Sequence, residues 1–186
     1  MFNFMKKDTL SHEERMRIAE ELIDTYGKGM TSFAYTYLKD WGEAEEVVQE
    51  VFIIVYKKID GYKGISSIKT WLYSITANKC KDVLKSSYKK RSVITDKIQL
   101  FVKDTESSTE DEYYKNINAE QLAQSIMDLP IKYREIIILY YYNDLNTEEI
   151  SRLLDMSNST VRSRLRRGRN LLKAKLEGGN EYYGQV

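Results

Sequence analysis

Basic side chains recur at helical spacing in residues 158–176, near the C-terminal end of the chain. On a helical wheel drawn at about 100° per residue, one side carries Val161, Leu165, Gly168 and Leu172. The opposite side and its shoulders carry Arg162, Ser163, Arg166, Arg167 and Asn170. Arginine forms paired hydrogen bonds with the edge of guanine and also binds phosphate. The pattern therefore predicts a helix that packs through its apolar side and contacts nucleic acid through its arginines.

The residues before this helix have the pattern of a helix-turn-helix. Residues 146–149 form a capping box that starts a short helix, and residues 155–157 predict a tight turn with Ser157 as the next N-cap. In such a motif, the first residues of the second helix enter the major groove of DNA. The predicted contacts with duplex DNA are Asn158, Ser159, Arg162, Ser163, Arg166 and Arg167. The alternative is a solvated basic face on a helix that binds protein.

A second group of basic residues lies in residues 78–91, which contain six Lys or Arg against one Asp. Aromatic residues precede this group, among them Tyr62 and Trp71. Aromatic rings stack on unpaired bases while cations neutralise the backbone, so the combination is typical of single-stranded DNA binding. Trp71 has helical spacing with apolar neighbours, which favours a core position. Tyr62 lies in a loop flanked by glycines and is the better candidate for stacking on a base.

Residues 40–50 contain five acidic residues and no basic one. Carboxylates also line di-iron helical bundles, but those bundles need two Glu-x-x-His motifs, and His12 is the only histidine. The preferred interpretation is an acidic helix that faces solvent or a partner. The motifs G-x-S-x-G, G-x-x-x-x-G-K-[ST] and H-E-x-x-H are also absent from the sequence. We therefore predict a protein that is not an enzyme, with no catalytic residue, no cofactor and no metal.

The single cysteine, Cys80, excludes an intramolecular disulfide and fits a reducing cytoplasm. Lys79 and Lys81 could lower the pKa of its thiol, although an inert helix position is the preferred interpretation. The longest apolar runs, residues 51–56 and 136–142, are much shorter than the ~20 residues that span a bilayer. The N-terminus has no apolar signal-peptide region. We expect a soluble, cytoplasmic protein without membrane insertion.

The elements that must position these residues have helical periodicity. Ser11 and Glu14 form a capping box ahead of the first helix. Trp41 and Gly42 are expected to break the chain between two helices, and Pro130 is expected to be the first residue of a later helix. One proline and nine glycines are too few for the turns of a β-sandwich or barrel. We predict an all-α protein of two small helical domains joined by a flexible acidic linker, the second containing the helix-turn-helix.

The first domain is predicted to cover residues 1–91, and the linker residues 92–118, where Ser, Thr, Asp and Glu dominate. The helix-turn-helix domain follows at residues 119–177, and the tail at residues 178–186 is expected to be disordered.

The formal net charge of +1 is the sum of acidic and basic segments that lie apart in the sequence. The acidic helix and the acidic linker offset the two basic groups, so a near-neutral total is compatible with binding nucleic acid.

Several stretches of the sequence resemble a known family. Residues 42–52 (GEAEEVVQEVF) and residues 69–78 (KTWLYSITAN) resemble the first conserved domain of bacterial RNA polymerase sigma factors. Residues 129–130, residues 149–150 and residues 159–165 (STVRSRL) resemble the second conserved domain. The matches occur in the order and spacing of the family. With these two domains and no others, the chain resembles an extracytoplasmic-function (ECF) sigma factor.

This resemblance implies a protein that binds core RNA polymerase, recognises the −35 and −10 promoter elements and promotes strand opening for transcription initiation. The acidic helix would dock on the β′ clamp through Glu43, Glu45, Glu46, Gln49 and Glu50. The −10 strand would be held through Tyr62, Lys69, Asn78, Lys81 and Lys85. The helix-turn-helix would read the −35 duplex while its domain sits on the β flap. A membrane-anchored anti-sigma factor is a further partner that the resemblance implies.

Two other functions fit parts of the sequence. A helix-turn-helix transcriptional regulator with a helical sensing domain would bind duplex DNA without polymerase, and would usually dimerise to match two half-sites. A helical adaptor that binds only proteins would leave both basic groups unexplained. A stable homodimer would favour the regulator, and the absence of any salt-sensitive DNA contact would favour the adaptor.

Overall fold

The computed structural model describes residues 10–87 and 110–180, and the side chains of residues 10–86 and 119–177. This part of the chain contains seven α-helices, one 3-10 turn and no strand, which confirms the all-α prediction. The elements are α1 (His12–Leu38), α2 (Trp41–Lys58), the 3-10 turn (Ile59–Gly61), α3 (Ile68–Ser87), α4 (Glu110–Met127), α5 (Ile131–Tyr141), α6 (Thr147–Leu154) and α7 (Asn158–Asn180). None of these described helices is long and apolar enough to cross a membrane.

The chain divides into two compact units, Met1–Val93 and Ile94–Val186. In the first unit, α1, α2 and α3 each have an apolar stripe that is buried only when the three helices pack together. The core of this unit contains Leu22, Met30, Phe33, Val51, Val55, Leu72 and Ala77. The predicted stripe of α2 is buried in full and consists of Val47, Val48, Val51, Phe52 and Val55. The predicted packing of the acidic helix through its valines is therefore confirmed.

In the second unit, α7 packs against α4, α5 and α6. Six consecutive residues of α5, from Arg134 to Leu139, are buried, so the middle of this helix is enclosed on all sides by the unit. The surrounding helices contribute Ile126, Ile150, Leu153, Val161 and Leu165 to the same core. The basic residues of α7 therefore lie on a helix whose apolar side packs against the buried helix α5.

The two predicted capping boxes are both confirmed. In α1 the Ser11 hydroxyl accepts a hydrogen bond from the backbone N–H of Glu14 at 3.1 Å, and the Glu14 carboxylate accepts one from Ser11. In α6 the Asn146 side chain accepts from the backbone of Glu149 at 3.0 Å, and the Glu149 carboxylate accepts from Asn146. These reciprocal bonds satisfy N–H groups that the first turn of a helix leaves without a partner.

The predicted break at Trp41 and Gly42 was wrong by two residues. Lys39 ends α1 in a left-handed conformation with φ of 60°, and the Asp40 carboxylate then accepts a hydrogen bond from the Glu43 N–H at 2.8 Å. Asp40 is therefore the N-cap of α2, and Trp41 and Gly42 are the first two helical residues.

Three other boundaries differ from the prediction. Helix α4 begins at Glu110, so residues 110–118 are helical rather than part of the linker; acidic residues in its first turn favour a helix start there. Helix α7 continues to Asn180 and includes the first three residues of the predicted tail. Pro130 is the N-cap of α5 rather than its first helical residue. The remainder of the predicted linker and tail lies outside the described residues.

Candidate nucleic-acid and partner-binding surfaces

Helices α6 and α7 and the turn between them form a helix-turn-helix. Asp155 ends α6 in a left-handed conformation with φ of 50°, and the Ser151 hydroxyl donates to the Met156 carbonyl at 2.6 Å. The Ser157 hydroxyl accepts a hydrogen bond from the Thr160 N–H at 3.2 Å and so caps α7. The predicted turn and N-cap are thus confirmed, and together they fix the angle at which α7 leaves α6.

Helix α7 separates its apolar and basic residues as the helical wheel predicts. Its buried side consists of Val161, Leu165 and Gly168, and its exposed side includes Ser159, Arg162, Ser163, Arg166, Arg167 and Asn170. Asn158 is half-buried, and its amide donates to the Thr147 hydroxyl at 3.3 Å. Five of the six predicted duplex contacts therefore share an exposed face, whereas Asn158 also joins the starts of α6 and α7.

Two other arginines of α7 contact neighbours within the second unit. The Arg164 guanidinium lies 3.6 Å from a carboxylate oxygen of the buried Glu135 on α5. The Arg169 guanidinium lies 5.5 Å and 5.4 Å from the ring centroids of Tyr140 and Tyr141. Neither residue belongs to the predicted DNA-binding set, and the contacts give each a role in packing.

Tyr133, in the first turn of α5, is a neighbour of the predicted site that the sequence reasoning missed. A hydrogen bond from Arg167, together with the nearby charge of Lys132, lowers the pKa of the Tyr133 phenol. The contact joins two helices that are separated in sequence, so no periodic pattern in either helix could have indicated it.

The loop before α3 contains the aromatic residues that were predicted to stack on unpaired bases. Tyr62 is half-buried: its ring centroid lies 5.2 Å from that of Trp71, and its hydroxyl donates to the Ser66 carbonyl. Burial, with a smaller effect from Tyr26, raises the pKa of Tyr62. One face of the Tyr62 ring is therefore already in contact with protein, and its stacking on an unpaired base stays a prediction.

Ile65 is the exposed apolar side chain of this loop, with 79% of its surface accessible. The preceding Gly64 has φ of 66°, a left-handed conformation that glycine adopts at no steric cost. Two residues after Ile65, the Ser67 hydroxyl accepts a hydrogen bond from the Thr70 N–H at 3.1 Å and caps α3. The sequence reasoning missed Ile65, because an isolated apolar residue in a loop has no periodic partner.

The predicted −10 contacts on α3 do not share one face. Asn78, Lys81 and Lys85 follow helical spacing and lie on one side of the helix. Lys69 precedes Asn78 by nine residues, which places it about half a turn around the helix axis. Asn78 and Lys85 are exposed, Lys69 and Lys81 are half-buried, and the Lys85 ammonium lies 3.5 Å from Asp82.

All five predicted polymerase contacts on α2 are exposed, and they are Glu43, Glu45, Glu46, Gln49 and Glu50. Helical geometry places them on one continuous side, opposite the buried valines, and Ile53 lies on the same side one turn further along. Ile53 is 54% exposed. At one edge, Glu50 forms an ion pair with Lys79 of α3. We call this side the acidic face of α2.

A groove of about 630 Å³ runs between α1 and α2 along the other edge of the acidic face. Its apolar lining includes Met16, Ile23 and Ile53, all exposed to solvent, and its polar lining includes Glu45 and Gln49. Met16 and Ile23 are seven residues apart and thus lie on one side of α1. That spacing is the signal that could have predicted the groove.

Cys80 lies on the inner side of α3. Burial raises the pKa of its thiol to about 12, although Lys81 acts in the opposite direction. The suggestion that neighbouring lysines activate Cys80 is therefore wrong, because desolvation of the thiolate outweighs their charge.

Comparisons with known proteins agree with this arrangement. The model of Sigma-70 region 2 matches residues 22–90, and that of Sigma-70, region 4 matches residues 119–172. The chain is 31% identical over 168 residues to the ECF RNA polymerase sigma factor SigW of Bacillus subtilis, covering 84% of this chain and 87% of SigW. It is 30% identical over 161 residues to the ECF RNA polymerase sigma factor SigM of the same organism, covering 86% and 96%.

Two solved structures have the same fold. The sigma factor RpoE, in complex with the anti-sigma factor NepR from Bartonella quintana, superposes with a TM-score of 0.70 at 20% identity, covering 87% of this chain and 97% of RpoE. CnrH, in complex with the cytosolic domain of CnrY, superposes with a TM-score of 0.64 at 20% identity, covering 90% and 92%.

The chain belongs to the family of ECF RNA polymerase sigma factors. It is therefore a protein that binds core RNA polymerase and recognises promoter DNA. Sigma factors are DNA-recognition proteins and are not known as enzymes. Membership of this family confirms the predicted function and not the alternative, which was a transcriptional regulator that acts without polymerase.

Proposed function

We propose that the exposed face of α7 reads the −35 element as duplex DNA, chiefly through Arg162, Ser163, Arg166 and Arg167. The observation that carries this assignment is the separation of the buried Val161 and Leu165 from those exposed residues on one capped helix. Base-edge contacts come from the N-terminal half of a recognition helix, which gives Arg162 and Ser163 the central positions. Arginine at such a position pairs with guanine through two hydrogen bonds.

The loop before α3 and the outer side of α3 hold the non-template strand of the −10 element in this proposal. Unstacking costs a few kcal/mol per base, and contacts that exist only with the open strand must offset that cost. The exposed Ile65 can pack against an unstacked base, while Asn78 and Lys85 are exposed toward the backbone of the strand. Lys81 is half-buried on the same side as Asn78 and Lys85 and contacts the strand there, while Tyr62 in the loop and Lys69 at the start of α3 hold the strand beside the loop.

The acidic face of α2 is the surface that docks on the β′ clamp. Its exposed carboxylates suit a basic partner, and the α1–α2 groove beside them provides apolar area at the same place. An interface that combines charge with an apolar centre is typical of specific protein complexes. Ile53 lies on the acidic face and also lines the groove, so it joins the charged and apolar parts of this surface. The second unit sits on the β flap.

An anti-sigma factor is the inhibitory partner in this proposal, because the sigma factor RpoE, which has this fold, was determined in complex with the anti-sigma factor NepR. The protein would act in the cytoplasm, where its polymerase is found.

Run-off transcription with purified core polymerase and a randomised promoter library tests the proposed function directly. We expect transcripts from a subset of promoters that share −35 and −10 sequences. Reversing a charge on the acidic face with Glu46→Arg should weaken core binding at least tenfold, since like-charge contacts cost several kcal/mol and about 1.4 kcal/mol is a factor of ten. Glu21→Arg makes the same charge change on the exposed surface of α1 and is the matched control.

Two results would contradict the proposal. Failure to recover any promoter-dependent transcript would exclude the assignment of both DNA surfaces. Equal core affinity for Glu46→Arg and Glu21→Arg would exclude the acidic face as the docking surface.

A further inference from the structure

The start of α1 contacts the segment that leads into the loop before α3. A guanidinium nitrogen of Arg15, near the start of α1, lies 2.6 Å from a carboxylate oxygen of Asp60. The other oxygen of Asp60 accepts a hydrogen bond from the backbone N–H of Leu10 at 3.4 Å. Asp60 is the middle residue of the 3-10 turn that connects α2 to the loop. Its carboxylate therefore joins two segments that lie far apart in the sequence.

The ion pair between Arg15 and Asp60 is largely shielded from water. The two side chains are 26% and 25% exposed, whereas Lys85 and Asp82, which form an ion pair on α3, are 79% and 69% exposed. Opposite charges attract more strongly when less water surrounds them, and solvated pairs contribute little. The contact between α1 and the 3-10 turn is therefore stronger than an ordinary surface ion pair.

Arg15 extends from a part of α1 that is itself fixed. Its backbone N–H donates to the carbonyl of Ser11 at 3.1 Å, within the capped first turn of the helix. In the same turn, a hydrogen bond joins the side chains of His12 and Tyr56, which lies in the last turn of α2. Contacts with α1 thus continue past the end of α2 and reach the 3-10 turn through Asp60.

The loop that follows has an anchor at each end. The Ser67 cap on α3 fixes its last residue, and the ion pair of Asp60 fixes the turn before its first. Between these anchors lie Gly61 and Gly64, which allow the backbone many conformations, and the exposed Ile65. An anchor on each side reduces the number of conformations that the loop samples, and so reduces the entropy that it loses when it binds a ligand.

We propose that Arg15 and Asp60 are positioning residues that hold the loop before α3 in the conformation that presents Ile65 to the open −10 strand. The inference rests on the proposed function, in which this loop contacts that strand, and it adds the start of α1 to the elements that serve promoter opening. An ion pair favours one loop conformation by no more than its own free energy. Its loss should therefore weaken binding of the strand modestly.

The test uses the full chain assembled with core polymerase and measures its affinity for forked DNA with an open −10 element. Asp60→Asn keeps the size of the side chain and removes its charge, and it should weaken binding about two- to fivefold, the effect of losing one partly exposed ion pair. Arg15→Met should cause the same loss, and the double variant should lose no more than either single variant. Asp24→Asn makes the same change on the exposed surface of α1 and is the matched control.

Two further measurements separate a positioning role from a structural one. Affinity for core polymerase and affinity for a fully paired −35 duplex should both stay at the values of the parent protein, since neither depends on the loop. In an Ile65→Ala background, Asp60→Asn should weaken binding of forked DNA by less than about twofold, because the side chain that the loop presents is gone.

The outcomes distinguish failure of the inference from failure of the proposed function. If Ile65→Ala weakens binding of forked DNA and Asp60→Asn does not, the positioning role is wrong and the proposed strand contact stands. Additive losses for Asp60→Asn and Ile65→Ala, or a parallel loss of core affinity, would likewise overturn the positioning role. If Ile65→Ala has no effect, the loop does not contact the strand, and both the inference and that part of the proposed function fail.

Discussion

The two surfaces proposed to contact DNA are built differently. On α7 the apolar residues are buried and the arginines of the predicted face are exposed, so one helix side packs and the other remains for DNA. Around α3 a proposed DNA contact also belongs to the packed interior, because the Tyr62 ring packs on Trp71. A surface that reads duplex DNA can be separate from the core that supports it. The surface proposed for an open strand instead uses aromatic residues that also pack within the first unit.

This difference has a physical reason. Duplex DNA presents its base edges in a groove, so a helix can read them with side chains that extend from a fixed scaffold. An unstacked base presents its face, and a surface for it needs apolar area that is held rigid by packing beneath it. Substitutions on α7 should therefore affect binding with little loss of stability, and substitutions near α3 should more often affect both.

Among the substitutions that compare the two DNA surfaces, Arg162→Ala should have the largest effect on DNA binding. Loss of a base-reading arginine costs about 1–3 kcal/mol, or about 5- to 150-fold in affinity for the −35 duplex, and should relax sequence preference at one position. Stability should be unchanged, since Arg162 is exposed. Equilibrium titration of the holoenzyme with −35 duplexes that differ at single positions measures the affinity and the preference, and urea unfolding measures the stability.

Arg164→Ala is the matched comparison on the same helix. It leaves the buried Glu135 without this ion-pair partner and should destabilise the second unit by about 1–3 kcal/mol, with no change in sequence preference. If Arg162→Ala lowers stability as much as Arg164→Ala does, α7 does not have a DNA-reading side separate from its packing side.

The sequence was sufficient to predict α7 because every relevant signal is local. The capping residues Asn146 and Ser157, the turn between them and the spacing of Val161 and Leu165 lie within a short stretch, and each is confirmed. The close approach of α5 and α7 at Gly168 joins two helices, and it requires that residue 168 has no side chain. Periodicity within one helix contains no information about such a contact.

The same limit explains the poorer prediction near α3. The loop pattern correctly indicated an irregular segment ahead of a capped helix, but the packing of Tyr62 on Trp71 follows from how that loop folds back. Likewise, the family resemblance places Lys69 and Asn78 together as contacts of the −10 strand, although the two residues lie on different sides of α3. Charge density in a sequence predicts a basic helix more reliably than it predicts which cations share a face.

Ile65→Ala tests whether the loop before α3 contacts an open strand. The substitution removes exposed apolar atoms, so it should leave the stability of the first unit unchanged. Partial burial of this side chain against a base contributes about 1 kcal/mol, which corresponds to about a fivefold loss of affinity for forked DNA with an open −10 element. Affinity for a fully paired −35 duplex should not change. Equal losses on the two DNA substrates would show that the loop does not distinguish open strand from duplex.

Lys85→Ala should have the smallest effect, and its signature is the salt dependence of binding. Lys85 is exposed on the outer side of α3, and its ion pair with Asp82 is weak because both groups are solvated. A phosphate can therefore displace Asp82, and loss of that contact should lower the slope of log affinity against log salt by about 1 for forked DNA. Lys79→Ala removes a cation that already pairs with Glu50, so the slope should stay at the value of the parent protein at saturating core polymerase. A slope that falls equally for both variants would mean that the strand also contacts the side of α3 that faces α2. The cations that pack against α2 would then bind DNA as well, and the contrast between the two DNA surfaces would be smaller than their packing indicates.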